Sequence, residues 1–138
     1  MSTYSRWVEH VLNPKTITSI YSKEPPSLAQ VKLYEVSIVC GGDLQCKLRF
    51  DLKDFPANAP VKWIQRQCNA VQMSLNLMQT ELIQCAIPSG NSIGDLSIMH
   101  DGARFQVTFS TQSQGIVFQA IATWIHVDNL AGYQKELR

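Results

Sequence analysis

Apolar residues recur at two spacings along this chain, and the change from one to the other divides it. Tyr4, Trp7, Val8, Val11 and Leu12 fall at helical intervals, which predicts a short N-terminal helix with Ser2, Thr3 or Ser5 at its start. Asn13-Pro14 ends it, because the residue before a proline avoids the helical region. Lys15 to Tyr21 predicts one more helical turn, with Ile17, Ile20 and Tyr21 inward, and Glu24-Pro25-Pro26-Ser27 reads as a stiff connector.

From Leu28 the period becomes two. Tyr34, Val36, Ile38 and Cys40 share one face of a strand. Leu44, Cys46, Leu48, Phe50 and Leu52 share one face of the next, with Gln45, Lys47, Arg49, Asp51 and Lys53 on the other. The second alternation is the cleanest in the chain and predicts a half-exposed antiparallel strand whose polar row faces solvent. Gly41-Gly42-Asp43 turns between the two. Both apolar sets sit at even numbers, so even must face even; this calls for a three-residue loop or a bulge, not a two-residue turn.

Asp54 to Pro60 is a loop held by two prolines, and Val61 to Cys68 is ambiguous, with Trp63 as its expected buried anchor. Val71, Met73, Leu75 and Leu77 alternate on a third strand. The alternation continues less cleanly through Glu81, Ile83, Cys85 and Ile87. Met78-Gln79-Thr80 is poor turn chemistry, so one strand bent by a bulge is favoured there over two strands. Pro88 to Ser92 reads as a loop, and Leu96 and Ile98 as a short strand. Asp101-Gly102 is a hairpin signal that would set Ile98 opposite Phe105 and Leu96 opposite Val107. Gln112 to Gly115 turns the chain again. Ile116 to Val127 is apolar on both sides, the mark of a central strand covered on both faces, and the N-terminal helix is the expected cover. Asp128 to Arg138 is left as a turn or short helix.

These elements add up to an α+β fold over residues 1–138: a single, largely antiparallel sheet of six to seven strands with one or two short N-terminal helices packed on it. The chain's 138 residues suit one domain. An apolar fraction of 45% with 17% charged residues excludes a disordered chain. The net charge of +1 offers no electrostatic footprint for nucleic acid or an anionic membrane. The N-terminus does not read as a signal peptide, and the cysteines (Cys40, Cys46, Cys68, Cys85) stand in no CxxC spacing, so buried reduced thiols in a cytoplasmic protein are expected.

Candidate chemistry is sparse. His10, His100 and His126 belong to no HExxH or HxH pattern, and no nucleophile elbow, Walker loop or GxGxxG occurs. His126-Val127-Asp128 places an imidazole and a carboxylate two residues apart on one strand face. Asp51 and Asp54 are too few oxygens for a cation site. No catalytic residue, metal or cofactor is expected.

The order of features resembles a known family. Trp7 in an early helix is followed by Leu12-Asn13-Pro14, Ile20-Tyr21 and Pro25-Pro26-Ser27-Leu28. Then come Leu48-Arg49-Phe50-Asp51-Leu52, Phe55-Pro56, Pro60-Val61-Lys62-Trp63 and Asn69-Ala70-Val71-Gln72-Met73-Ser74-Leu75. Over nearly the whole chain this resembles the bacterial immunity protein 50 family of polymorphic toxin systems. The resemblance implies a small cytoplasmic α+β protein, without enzyme activity, that binds and neutralises a cognate toxin domain. The family supplies no catalytic residues to carry over. The near-neutral charge departs from the acidic habit of many immunity proteins and speaks against a basic nuclease partner.

For a protein partner, the expected contact is the polar row of the second strand with the loop after it: Lys47, Arg49, Asp51, Asp54 and Asn58. The same row also reads as a merely solvated sheet face. The competing reading is a small-ligand-binding or enzymatic domain whose pocket lies between helix and sheet near His126, with Asp128 and His100.

Overall fold

The computed structural model describes residues 4–88 and 92–136. The expected cap residues Ser2 and Thr3, and Ser89 to Asn91 of the expected loop, lie outside the described residues. Among the described residues, a 3-10 helix (Tyr4–His10) and α1 (Lys15–Thr18) precede six strands: β1 (Val31–Val39), β2 (Gln45–Asp51), β3 (Ala70–Cys85), β4 (Ser92–Asp101), β5 (Arg104–Thr111) and β6 (Gly115–Tyr133). A short helix, α2 (Val61–Gln65), lies between β2 and β3.

The fold is α+β and mostly antiparallel sheet, as the periodicity predicts. The sheet closes into a barrel in the order β1-β2-β3-β6-β5-β4. Two three-stranded meanders, β1-β2-β3 and β4-β5-β6, are joined along the whole of β3 and most of β6. A second seam is short: Val31 to Leu33 against Gly94 to Ser92. The closed interior holds Val31, Leu48, Phe50, Met73, Leu75, Leu77, Val107, Phe109, Phe118 and Ile125.

The β1–β2 hairpin has the expected register, with Val36 opposite Leu48 and Ile38 opposite Cys46. A bulge at Tyr34 inverts β1, so Val31 and Leu33 point inward before it, and Ile38 near the hairpin tip is exposed. The β4–β5 hairpin is shifted by two residues from expectation: Ile98 faces Val107 and Leu96 faces Phe109. A two-residue shift preserves the faces. The turn is Gly102-Ala103, with Gly102 at φ +66 in the first central position, where glycine accepts a conformation other residues resist.

β3 is one bent strand. Gln79 takes φ 49, and the inward set changes from Val71, Met73, Leu75 and Leu77 to Thr80 and Leu82. Ile83 and Cys85, expected on the continuing apolar face, are exposed. β6 changes face at the matching level, from Phe118, Ala120 and Ala122 to Ile125 and Val127. Its two-sided apolarity is therefore mostly two one-sided patterns in series, with Val117 buried in addition. Trp124 falls on the outside, 47% exposed. The strand also runs on to Tyr133, where a turn or helix was expected.

The N-terminal segment covers an edge of β6. Pairing with β5 stops at Ala122. Beyond it, the Leu12 amide donates to the Ile125 carbonyl at 2.8 Å. The Asn13 side chain exchanges two 2.9 Å hydrogen bonds with the Val127 amide and carbonyl. One asparagine thus stands in for a strand neighbour and satisfies backbone groups that would otherwise be left unpaired. Trp7, Val8, Val11, Ile17 and Tyr21 are buried, and the Trp7 indole donates to the Pro26 carbonyl at 3.0 Å.

Candidate protein-interaction surface

The outer face of β1, β2, β3 and β6 is built from residues that alternate away from the core. Register sets Lys47 beside Ser37 and Asn76, with His126 next beyond Asn76. It sets Arg49 beside Glu35 and Ser74. Arg49 Nε donates to Glu35 Oε1 at 3.0 Å, and Ser37 Oγ donates to Glu35 Oε2 at 2.7 Å. These two donors, the Ser37 hydroxyl first, hold the Glu35 carboxyl below its usual range. The Arg49 guanidinium also lies 5.6 Å from the Tyr34 ring centre. Lys47 Nζ is 3.9 Å from Asp128 Oδ2. A shallow depression of about 210 Å³ runs between these residues.

Asp51, expected to face solvent in the same row, is only 5% exposed. Tyr34 and Tyr133 both donate to its Oδ2, the former at 3.0 Å. Lys135 Nζ stands 3.4 Å from the same oxygen, and Gln72 reaches Oδ1 at 3.5 Å. Burial, then the bond to Asp51, push the Tyr133 phenol up. Desolvation works to lower the Lys135 ammonium, but Tyr34 and Asp51 outweigh it and raise it. The segment after β6 is tied down beside this cluster at Lys135, which exchanges side-chain-to-backbone hydrogen bonds with Asn69 at 2.7 and 3.0 Å. Asp51 is a polar keystone for the C-terminal segment rather than an exposed contact.

Asp54 and Asn58 are exposed and line a cleft of about 390 Å³ between their loop and Ile20 to Pro26. The Tyr21 hydroxyl donates to the Asp54 carbonyl at 2.8 Å. Burial, then the Asp54 charge, raise the Tyr21 phenol. The predicted contact residues therefore divide three ways: Lys47 and Arg49 on the sheet, Asp51 inside its cluster, Asp54 and Asn58 on the cleft rim.

Of the His126 reading, the structure shows only the pairing with Asp128. His126 Nδ1 and Asp128 Oδ1 lie 2.8 Å apart, on the partly exposed outer face of β6. His100 belongs to a different cluster, its ring 4.4 Å from His10 and 5.0 Å from Phe105. Burial and then His100 lower the His10 imidazole. His10 and His100 thus share one cluster around Phe105 while His126 stands with Asp128 elsewhere, and the expected His126–His100 pocket is not assembled. All four cysteines are free, but only Cys46 is buried; Cys40 and Cys85 are exposed. Burial, then Cys85 and Cys40, push the Cys46 thiol up.

Sequence reasoning missed the segment after the cleft. Helix α2 buries none of its residues. Trp63, expected as a buried anchor, is half-buried: its ring lies flat enough on β6 that a Cβ at Gly132 would meet it at 2.6 Å, and Phe55 packs at 6.1 Å. Val61 and Ile64 point outward, 67% and 64% exposed. The available signal was the run from Phe55 to Thr80, which holds two prolines, Lys62 and Arg66 but no acidic residue.

Among the described residues, no helix is long and apolar enough to cross a membrane. A family model for Immunity protein 50 matches residues 13–133. No curated protein and no solved structure gives a significant match.

Proposed function

This chain belongs to the immunity protein 50 family, and we propose that it neutralises a cognate bacterial toxin domain by binding it, without catalysing a reaction. The observation that carries this reading is the family match over most of the chain, which implies a protein toxin as partner. The fold suits the task. A closed barrel, with Asn13 tied to β6 and Lys135 tied to Asn69, presents side chains at fixed spacing, and little ordering entropy is lost on association. In this reading the binding takes place in the cytoplasm of the bacterium that makes the toxin. Asp54 and Asn58 on the cleft rim belong to the contact, with Lys47 and Arg49 contributing at its margin.

The test is titration of the toxin domain encoded beside this chain. Protection that saturates at one chain per toxin, with a stable complex on size exclusion, is the expected result. Protection by far less than one equivalent would mean catalysis, and no protection would mean the wrong function.

A further inference from the structure

Resting on that reading, we propose that the outward face of α2 is the seat of the toxin, with Val61 and Ile64 as apolar anchors and Lys62 and Arg66 holding an acidic surface of the partner. Val61 and Ile64 are the two most exposed large apolar side chains described. They stand three apart on a helix and are therefore neighbours on one face. Isolated apolar side chains on a surface are ordinary. Here a helix that contributes no buried residue is nonetheless fastened to the barrel. Pro60 opens it, the Cys68 amide closes on the Trp63 carbonyl at 2.9 Å, and the Trp63 ring rests on Gly132. The anchors are thus presented without the entropy cost of ordering a loop.

Charge selects the occupant. Lys53, Lys62 and Arg66 are exposed, and none takes part in an ion pair among the described residues. Lys62 and Arg66 sit four apart on one flank of the helix, so they border the seat on the Val61 side rather than surround the anchors. A second copy docked through a two-fold axis would bring these cations against themselves. An acidic surface with an apolar centre satisfies both features, and its field would speed encounter.

The experiment measures affinity of full-length variants for the toxin domain encoded beside this chain, at low and high salt, with melting temperature as the folding control. Val61→Ser with Ile64→Ser should weaken binding about 30-fold or more, the loss typical of central anchors. Lys62→Glu with Arg66→Glu should weaken it about tenfold at low salt, with the defect shrinking at high salt. Arg104→Glu, at an exposed arginine of β5 paired with Glu81 and outside the proposed contact, should change it by less than about twofold. Toxin binding that both double variants leave intact would overturn this surface while sparing the proposed function. A wild-type dimer that the anchor variant disperses would replace the toxin by a second copy. A wild-type chain that does not bind the toxin at all would overturn the function and this inference together.

Discussion

The outer row of β2 and the helix that follows it lie within twenty residues of each other and treat their exposed groups in opposite ways. On β2, Arg49 is bound to Glu35, Lys47 lies near Asp128, and Asp51 is enclosed by two tyrosines, a glutamine and a lysine. On α2 and at Arg66 just after it, two apolar side chains and two cations have no such company among the described residues. The first surface is complete within the fold, and a partner docking there must desolvate charges that already have counter-ions. The second also carries charges to desolvate, Lys62 and Arg66, but a partner can supply their first counter-ions, and burial of the apolar area beside them is favourable. Whether a group is already satisfied within the chain, and not its polarity and exposure alone, bears on what a partner gains by covering it.

The contrast can be broken most forcefully at Asp51. Asp51→Leu leaves the Tyr34 and Tyr133 hydroxyls and the Lys135 ammonium without their shared acceptor, and should cost about 3 kcal/mol in denaturant unfolding. A loss below about 1 kcal/mol would show that the sheet face does not depend on this cluster. Trp63→Ala comes next. A buried tryptophan would cost 3–5 kcal/mol, and half-burial brings the expectation to about 2 kcal/mol. A neutral result would mean that α2 is not pinned through its ring to Gly132.

Arg49→Glu removes one exposed ion pair and places two carboxylates together, so thermal unfolding should show a loss under about 1 kcal/mol. The Val61→Ser, Ile64→Ser variant should change stability by no more than about 0.5 kcal/mol, since neither side chain is buried. A larger loss would mean that α2 supports the barrel. The smallest effect concerns acid. Glu35 is held below its ordinary value of 4.5, so its contribution is present above that pH and lost as pH falls through the depressed folded value. Between about pH 5 and 3, wild type should lose slightly more stability than Glu35→Gln, whereas the α2 variant should follow wild type throughout.

Legibility followed the range of the interactions. The β1–β2 register could be read because side-chain parity and a short turn are local constraints. The Met78–Thr80 bend could be read because those residues make a poor turn. The change of face after it could not, since it depends on Gln79 adopting a left-handed backbone within a paired strand. The exposure of Asp54 and Asn58 was legible, because a proline-bound loop presents them, and the enclosure of Asp51 was not. Its alternation placed it outward, but Tyr133 and Lys135, more than eighty residues away in the chain, enclose it there.

The sequence by itself determined the strands, the antiparallel hairpins, the α+β class and the resemblance to a family, because alternation and turn chemistry act between near neighbours. Only the tertiary structure decided that the sheet closes, that Asn13 completes the edge of β6, that Asp51 is enclosed and that α2 turns Val61 and Ile64 outward. Each of those outcomes depends on groups that meet only when distant segments pack, and periodicity carries no record of which distant segment will arrive.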